Sequence, residues 1–444
     1  MQNDIITLND LSIFSADGSE SVFSLIDKTS TQAGREMLRK HLQNPPNDYH
    51  QLILYQDVIK FWYHNLELWP KIILNGTIVM LEKYFESADS ISAPPHGFTL
   101  LFNSYFQKLF NRDEYFLIRF SLSHLSDFLK GCRELVDILN MSEIPILLQK
   151  DLLSIKEELS HYLVEPIINI SNDTGYAALA TLNYKARREM KSLCIRLINS
   201  YSKMDALQAL ARATKGNNWV FPVITPAFPV CFQTDDLTHP LLSNPTGYQL
   251  SFDTNCKFLV LTGANMSGKT TFMRSLGVAA FMAHLGMGVA AKKLEISFLQ
   301  GIITNMHIQD NILKGESYFF AEVQRMKQTA IKLLQHEPHL VLMDELFKGT
   351  NVHDAYECTK VVIEGLLYHP DHLMILSTHL YEVAQQFTDN KAIQFSYFTT
   401  LLNEDDSYRF TYKIQKGISN DRIGYRILQK EGIIQLLKGR DKDI

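Results

Sequence analysis

The sequence predicts a multidomain protein in which a mainly α-helical N-terminal domain is followed by an α/β domain of the phosphate-loop type. Three observations carry this expectation. Apolar residues recur at helical spacing across 25–215; short apolar strands alternate with helical segments across 256–400; and a glycine-rich turn separates an apolar strand from a helix at 262–271. The expected divisions are an N-terminal segment at 1–20, a helical domain at 21–215 and an α/β domain at 216–444.

A chain of 444 residues exceeds one typical domain, so two or three are expected. With 46% hydrophobic and 20% charged residues it has the make-up of a soluble protein with sizeable cores rather than a disordered one. A net charge of −5 neither demands nor excludes nucleic acid, because local patches decide that contact. Cys132, Cys194, Cys231, Cys256 and Cys358 lie far apart with no metal-ligand spacing, which points to reduced thiols in the cytoplasm. Met1-Gln2-Asn3-Asp4 opens no secretory signal, and the apolar run at 276–291 is short for a membrane span and reads as a buried helix.

In the first half, Ile53, Tyr55, Val58, Ile59 and Trp62 recur every three to four residues, as do Leu148, Leu152, Ile155 and Leu159. One helix is expected to start after Thr29-Ser30-Thr31 and to stop at Pro45-Pro46. Few Gly or Pro residues interrupt 100–165, so long helices are expected there. Lys185, Arg187, Arg188, Lys191 and Arg196 form the most basic stretch. At helical spacing they do not share one stripe, which favours a solvated helix surface over a phosphate-contacting arm.

Past residue 221 the chain is punctuated by prolines, with Val223-Ile224, Val230-Cys231-Phe232 and Leu250 to Phe252 reading as strands. The α/β region follows, with strand candidates at 258–261, 302–304, 340–343 and 374–377. The first of these leads into Gly263-Ala264-Asn265-Met266-Ser267-Gly268-Lys269-Thr270-Thr271. Glycines let backbone N–H groups wrap a polyphosphate, and the helix that follows presents its positive dipole end. In that pattern Lys269 reaches the β and γ phosphates of ATP and the Thr270 hydroxyl ligates Mg2+. Leu340 to Met343 then ends in Asp344-Glu345, where an Asp steadies Mg2+ and a Glu polarises the attacking water. Ile375-Leu376-Ser377-Thr378 ends in His379, placed to sense the γ-phosphate. Between them, Gly315-Glu316-Ser317 opens a helix, a second phosphate-binding device that makes sense if Ser317 completes the site of a second subunit. A simple N-cap by Ser317 is the plainer alternative.

Together these residues resemble the MutS family of mismatch repair ATPases, within the ABC-type ATPases. Thr262 to Arg274 is similar to TGxNMxGKSTxxR, with Asn265-Met266 its most specific part. Leu342 to Asn351 resembles LMDExxxGT, Ser377-Thr378-His379 resembles ATH, and Ser317 to Glu322 resembles STFxxE with Tyr318 in place of Thr. His239-Pro240, Gly417, Gly424 and Tyr425 add to a match that is dense over 235–430. More loosely, Ser24 to Leu38, with Leu42, Pro45 and Gln56, looks like the start of the family's core. The resemblance implies a helical core and lever over 20–215, ATP hydrolysis to ADP and phosphate, and a homodimer joined through its ATPase domains near Gly349, Thr350, Asn351, His353 and Asp354. It also implies DNA, branched, damaged or mismatched, as the partner.

The resemblance also sets expectations by its departures. Mismatch-reading members begin with a further domain bearing a Phe-x-Glu wedge, whereas this sequence begins close to the core. Phe320-Ala321-Glu322 fits those letters only as part of the signature motif. A shortened lever and no nuclease-like tail are expected. The alternative output is therefore an ATP-driven switch acting on a protein, ribosome or RNA partner, with no role in mismatch repair.

Overall fold

The computed structural model describes residues 1, 3–15, 20–86, 112–252, 256–264, 266–306, 318–402, 408–419 and 433–437. The chain divides into two compact units: Ile26–Gln43 with Leu54–Gly216, and Met1–Leu25 with Asn44–Ile53 and Asn217–Ile444. A helical first part is thus followed by a mixed α/β part. Among the described residues no helix is long and apolar enough to cross a membrane.

Along the chain, α1 (Ile5–Asp10), α2 (Val22–Ile26), α3 (Gln32–Gln43), α4 (Tyr49–His64), α5 (Asn75–Glu86) and α6 (Arg112–Asp137) are followed by α7 (Ile146–Glu158), α8 (Val164–Ile168), α9 (Tyr176–Glu189) and α10 (Lys191–Gly216). The helical unit is organised around α10, which buries residues on every side, from Leu193 to Thr214. Its aromatic centre is a chain of edge and tilted contacts: Trp62 to Trp69 at 5.3 Å, Trp69 to Tyr201 at 5.1 Å, and Phe128 to Tyr201 at 6.1 Å between ring centroids. Helix α3 is held from a distance. The buried Asp205 carboxylate accepts from Ser30 N at 2.9 Å, Thr31 N at 3.0 Å and Thr31 Oγ1 at 2.8 Å, satisfying donors just ahead of the helix. Gly34 is what permits this approach, since a Cβ there would sit 2.1 Å from Asp205 Oδ2. Burial raises the Asp205 pKa above the usual carboxylate range in spite of these donors.

In the α/β unit, β1 (Val223–Thr225), β2 (Phe232–Leu237), β3 (Tyr248–Phe252) and β5 (Lys293–Ser297) make a four-stranded sheet of order β1-β5-β2-β3. The second sheet contains β4 (Phe258–Thr262), β6 (Gly301–Asn305), β7 (His339–Asp344), β8 (Leu373–Ser377), β9 (Ile393–Leu402) and β10 (Tyr408–Lys416), in the order β10-β9-β4-β8-β7-β6. Neighbours are parallel except for β9 and β10. Strands β4, β6, β7 and β8 are buried at every position, as expected for strands covered on both faces. Their cover includes α11 (Lys269–His284), α12 (Tyr318–Leu333), α13 (Val352–Leu366) and α14 (Tyr381–Gln386), with Val260, Val341, Met343, Leu376, Leu333, Ile363 and Val383 in one core. A short α15 (Ile433–Leu437) closes the described chain.

The N-terminal segment, for which the sequence suggested no element, seals the outer edge of this sheet. Asn3 Oδ1 accepts from Ile302 N at 3.0 Å, Thr7 Oγ1 from Thr304 N at 3.3 Å, and Asp10 Oδ2 from Met306 N at 3.3 Å. Acceptors from Asn3, just ahead of α1, and from Thr7 and Asp10 on it thus meet alternate N–H groups of edge strand β6. Arg325 of α12 locks the arrangement, donating to Asp4 Oδ2 at 2.7 Å and to Thr304 O at 2.8 Å.

Removing the Asp205 carboxylate leaves its buried donors without an acceptor. Asp205→Ala is therefore expected to destabilise the helical unit by about 1–3 kcal/mol in urea denaturation. The α/β unit carries a pH dependence. His284 is fully buried and neutral, its Nδ1 donating to Ala280 O at 2.7 Å while Nε2 accepts from Leu299 N at 2.8 Å, and burial pushes its pKa down to about 4. Between that value and the ordinary 6.5 the unfolded chain binds the extra proton, so this contribution to stability is complete above 6.5 and is lost as pH falls towards 4. Denaturation midpoints across that range are expected to fall with pH, and His284→Gln to reduce the slope.

Candidate nucleotide site

The site forms where β4 ends. Gly263 at φ 132°, Met266 at φ 67° and Gly268 at φ 108° turn the chain back on itself, and the two glycines occupy conformations other residues rarely adopt. Tyr412 Cδ1 also lies 3.1 Å from where a Cβ on Gly268 would stand. Helix α11 starts at Lys269 with Gly268 as its cap, so no side chain covers the first-turn amides. Ser267 Oγ is buried with no hydrogen-bond partner among the described residues. Asn265 lies outside the described residues.

Lys269 is buried, its Nζ donating to Gly263 O at 2.8 Å and Ala264 O at 3.0 Å and lying 3.5 Å from Glu345 Oε1. Burial pulls its pKa down, against the attraction of Glu345 and Asp344. Asp344, the last residue of β7, accepts from Thr270 Oγ1 at 2.6 Å through one oxygen and from Ser377 Oγ through the other. Strand β8 lies between β4 and β7, which is why Ser377 reaches this carboxylate and why Glu345 N donates to Ser377 O at 3.0 Å.

Glu345 turns out of the strand in a left-handed conformation, φ 54°. Its carboxylate stands 3.1 Å from Lys348 Nζ and 3.8 Å from His379 Nδ1, as well as beside Lys269. Burial alone would raise its pKa, but the lysines and His379 outweigh it and hold it below the usual range. His379 is the exposed member, with 55% of its side chain open to solvent. Ser377 and Lys348, which the sequence reading placed inside motifs without giving them a role, are added here. The buried Glu322 is a third, accepting from Lys348 N and Gly349 N, both at 3.2 Å.

The flanking residues behave differently. Asn351 caps α13 through Asp354 N at 3.0 Å, and its amide donates to Asp354 Oδ2 at 2.6 Å, so these two engage each other. His239 is buried, and burial with nearby Arg274 pushes its pKa down to about 4. Ser419 N donates to Thr262 Oγ1 at 2.9 Å, bringing the segment after Gly417 back to the end of β4. Ser317, Gly424 and Tyr425 lie outside the described residues.

The basic stretch of the helical unit is not one cationic face. Arg187 is buried, its guanidinium 4.2 Å from the centroid of the Tyr84 ring, while Arg196 is paired with Glu158. Arg188 donates to Tyr184 OH.

Chemically, Thr270 and Asp344 offer hard oxygen donors suited to Mg2+. The uncapped helix start, Lys269 and the orphaned Ser267 hydroxyl suit an anion. Among the described residues no group of three or more His, Cys, Asp or Glu is arranged to hold a metal ion alone. A metal here would need further ligands from a substrate or water.

Residues 259–437 match the family model for MutS domain V. The DNA mismatch repair protein MutS of Streptococcus pyogenes serotype M1 is 28% identical over 310 residues, covering 64% of this chain and 36% of that protein. Its namesakes from serotype M49 (strain NZ131) and serotype M5 (strain Manfredo) are 27% and 28% identical over the same lengths. The chain thus spans about a third of the length of these curated relatives, 36% in each case.

A Cβ on Gly349 would stand 2.7 Å from Phe319 N, a backbone atom that cannot swing aside. Gly349→Ala is expected to cost about 1–3 kcal/mol, read as a lowered midpoint in thermal denaturation.

Proposed function

We propose that this chain, a member of the MutS family, binds ATP with Mg2+ at the end of β4 and hydrolyses it to ADP and phosphate as a homodimer acting on DNA. The observation that carries this reading is the convergence of Lys269, Thr270, Asp344, Glu345 and Ser377 within hydrogen-bond or ion-pair reach of one another. ATP supplies the phosphoanhydride whose cleavage drives the protein, and Mg2+ neutralises charge on its phosphates.

In this reading the amides and side chains of Gly263, Ala264, Asn265, Met266, Ser267, Gly268 and Thr271 hold the phosphates. Lys269 exchanges its two loop carbonyls for phosphate oxygens, a swap supported by those two acceptors being neutral backbone oxygens, while Glu345 Oε1 at 3.5 Å is its charged neighbour. Thr270 and Asp344 hold the cation, with Ser377 fixing the second Asp344 oxygen. Glu345 orients the attacking water and takes its proton, and its lysine neighbours keep it ionised for that task. His379 reads the γ-phosphate from its solvent-facing position, and Ser317 closes the site of the partner copy. The helical unit serves as core and lever, transmitting the nucleotide state. DNA as the load rests on likeness to relatives named for DNA mismatch repair, and work in the cytoplasm on the five free, widely spaced cysteines.

Glu345→Gln is expected to keep nucleotide affinity while lowering kcat by roughly 10²–10⁴-fold, and to accumulate an ATP-bound dimer in gel filtration. Unchanged turnover would remove Glu345 from its role. Loss of fluorescent ATP-analogue binding is expected for Lys269→Ala. For the load, binding and ATPase stimulation are measured with homoduplex, mismatched, branched and single-stranded DNA and with RNA across a salt series. Binding that weakens as salt rises is expected for DNA. No DNA response at low salt would sink the DNA reading, and a response to RNA alone would move the load to the alternative class.

A further inference from the structure

The turn that carries Glu345 is strained and needs holding. Glu345 and Phe347, neither a glycine, both take left-handed backbone, at φ 54° and 62°. Each such residue is strained and persists only where its surroundings over-determine it. What surrounds this turn is the first part of α12. Gly349 lies against the backbone of Phe319, and the buried Glu322 carboxylate accepts from Lys348 N and Gly349 N, one oxygen each, both at 3.2 Å. Those amides belong to the residue whose Nζ lies 3.1 Å from Glu345 Oε2 and to the residue after it. The helix is itself fixed one turn further on, where Arg325 reaches Asp4 at 2.7 Å and Thr304 O at 2.8 Å.

We propose that Glu322 is the positioning residue for Glu345, holding the 345–349 turn through the amides of Lys348 and Gly349 so that Lys348 keeps the Glu345 carboxylate in one orientation. This rests on the reading of Glu345 as the group that orients the attacking water. Glu322 touches no reacting atom in this scheme. It transmits the placement of α12, set by Arg325 against β6, to the carboxylate at the end of β7.

The test uses the full chain and steady-state ATP hydrolysis. Glu322→Ala is expected to lower kcat on the order of 10- to 100-fold, as a displacement of about 1 Å does, while KM and ATP-analogue affinity stay within about 3-fold. Glu322→Gln keeps one acceptor oxygen and is expected to fall between Ala and the unsubstituted chain. Combined with Glu345→Gln, Glu322→Ala is expected to cause no further loss of kcat, because its effect passes through the carboxylate already removed. An undiminished kcat, a KM that rises as much as kcat falls, or a full multiplicative loss in the double variant would each overturn the proposal. Inactivity of the unsubstituted chain would instead bring down the hydrolysis reading, and the catalytic half of this proposal with it. Amide hydrogen exchange separates the two failures. Faster exchange at Lys348 and Gly349 in Glu322→Ala supports a held turn, and unchanged exchange overturns it.

Discussion

The Asp344 carboxylate joins three parts of the chain that are distant in sequence: the end of β7, the first turn of α11 through Thr270, and the end of β8 through Ser377. Charge-assisted bonds of this kind are among the strong ones, and both oxygens are occupied. Because β8 lies between β4 and β7, the carboxylate acts across one strand and ties the glycine turn to the acidic turn. Lys269 and Glu345 then face each other across this bridge. Release of Asp344 would free the Thr270 and Ser377 hydroxyls and uncouple the glycine turn from the acidic turn.

A second level of support surrounds that bridge. The N-terminal segment supplies side-chain acceptors to the exposed edge of β6, and Arg325 fastens both to α12. Burial drives Asp4 upward, but its pairing with Arg325 and Thr7 N holds it well below the usual carboxylate range, so it stays charged where the arginine needs it. From α12 the line runs through Glu322 to the turn of Glu345. The chain therefore uses its first ten residues to brace a part of the sheet formed some three hundred residues later.

Much of the α/β half was legible because its signals are local. Strands buried on both faces read as continuous apolar runs, and those expected at 258–261, 302–304, 340–343 and 374–377 fall within β4, β6, β7 and β8. The helix after Thr31, expected to end before Pro45-Pro46, is α3. Less legible were β9 and β10, whose partly exposed residues mix polar and apolar types. The basic stretch at 185–196 read as a surface, yet Arg187 is buried against Tyr84; nothing in its spacing shows that an aromatic ring from α5 stands over it.

By itself the sequence marked four strands of the larger sheet, the helix ahead of Pro45-Pro46 and the glycine turn, since periodicity and glycine act within a few residues. Only the tertiary structure decided which groups meet. That Ser377 and Thr270 share one carboxylate follows from strand order, and that Asn3, Thr7 and Asp10 complete an edge strand follows from packing. That Glu322 and Lys348 bracket the turn of Glu345 follows from the left-handed backbone at 345 and 347. Contacts of this kind depend on the crossing of elements in space, and a hydrogen bond across three hundred residues leaves no mark in the spacing of either partner.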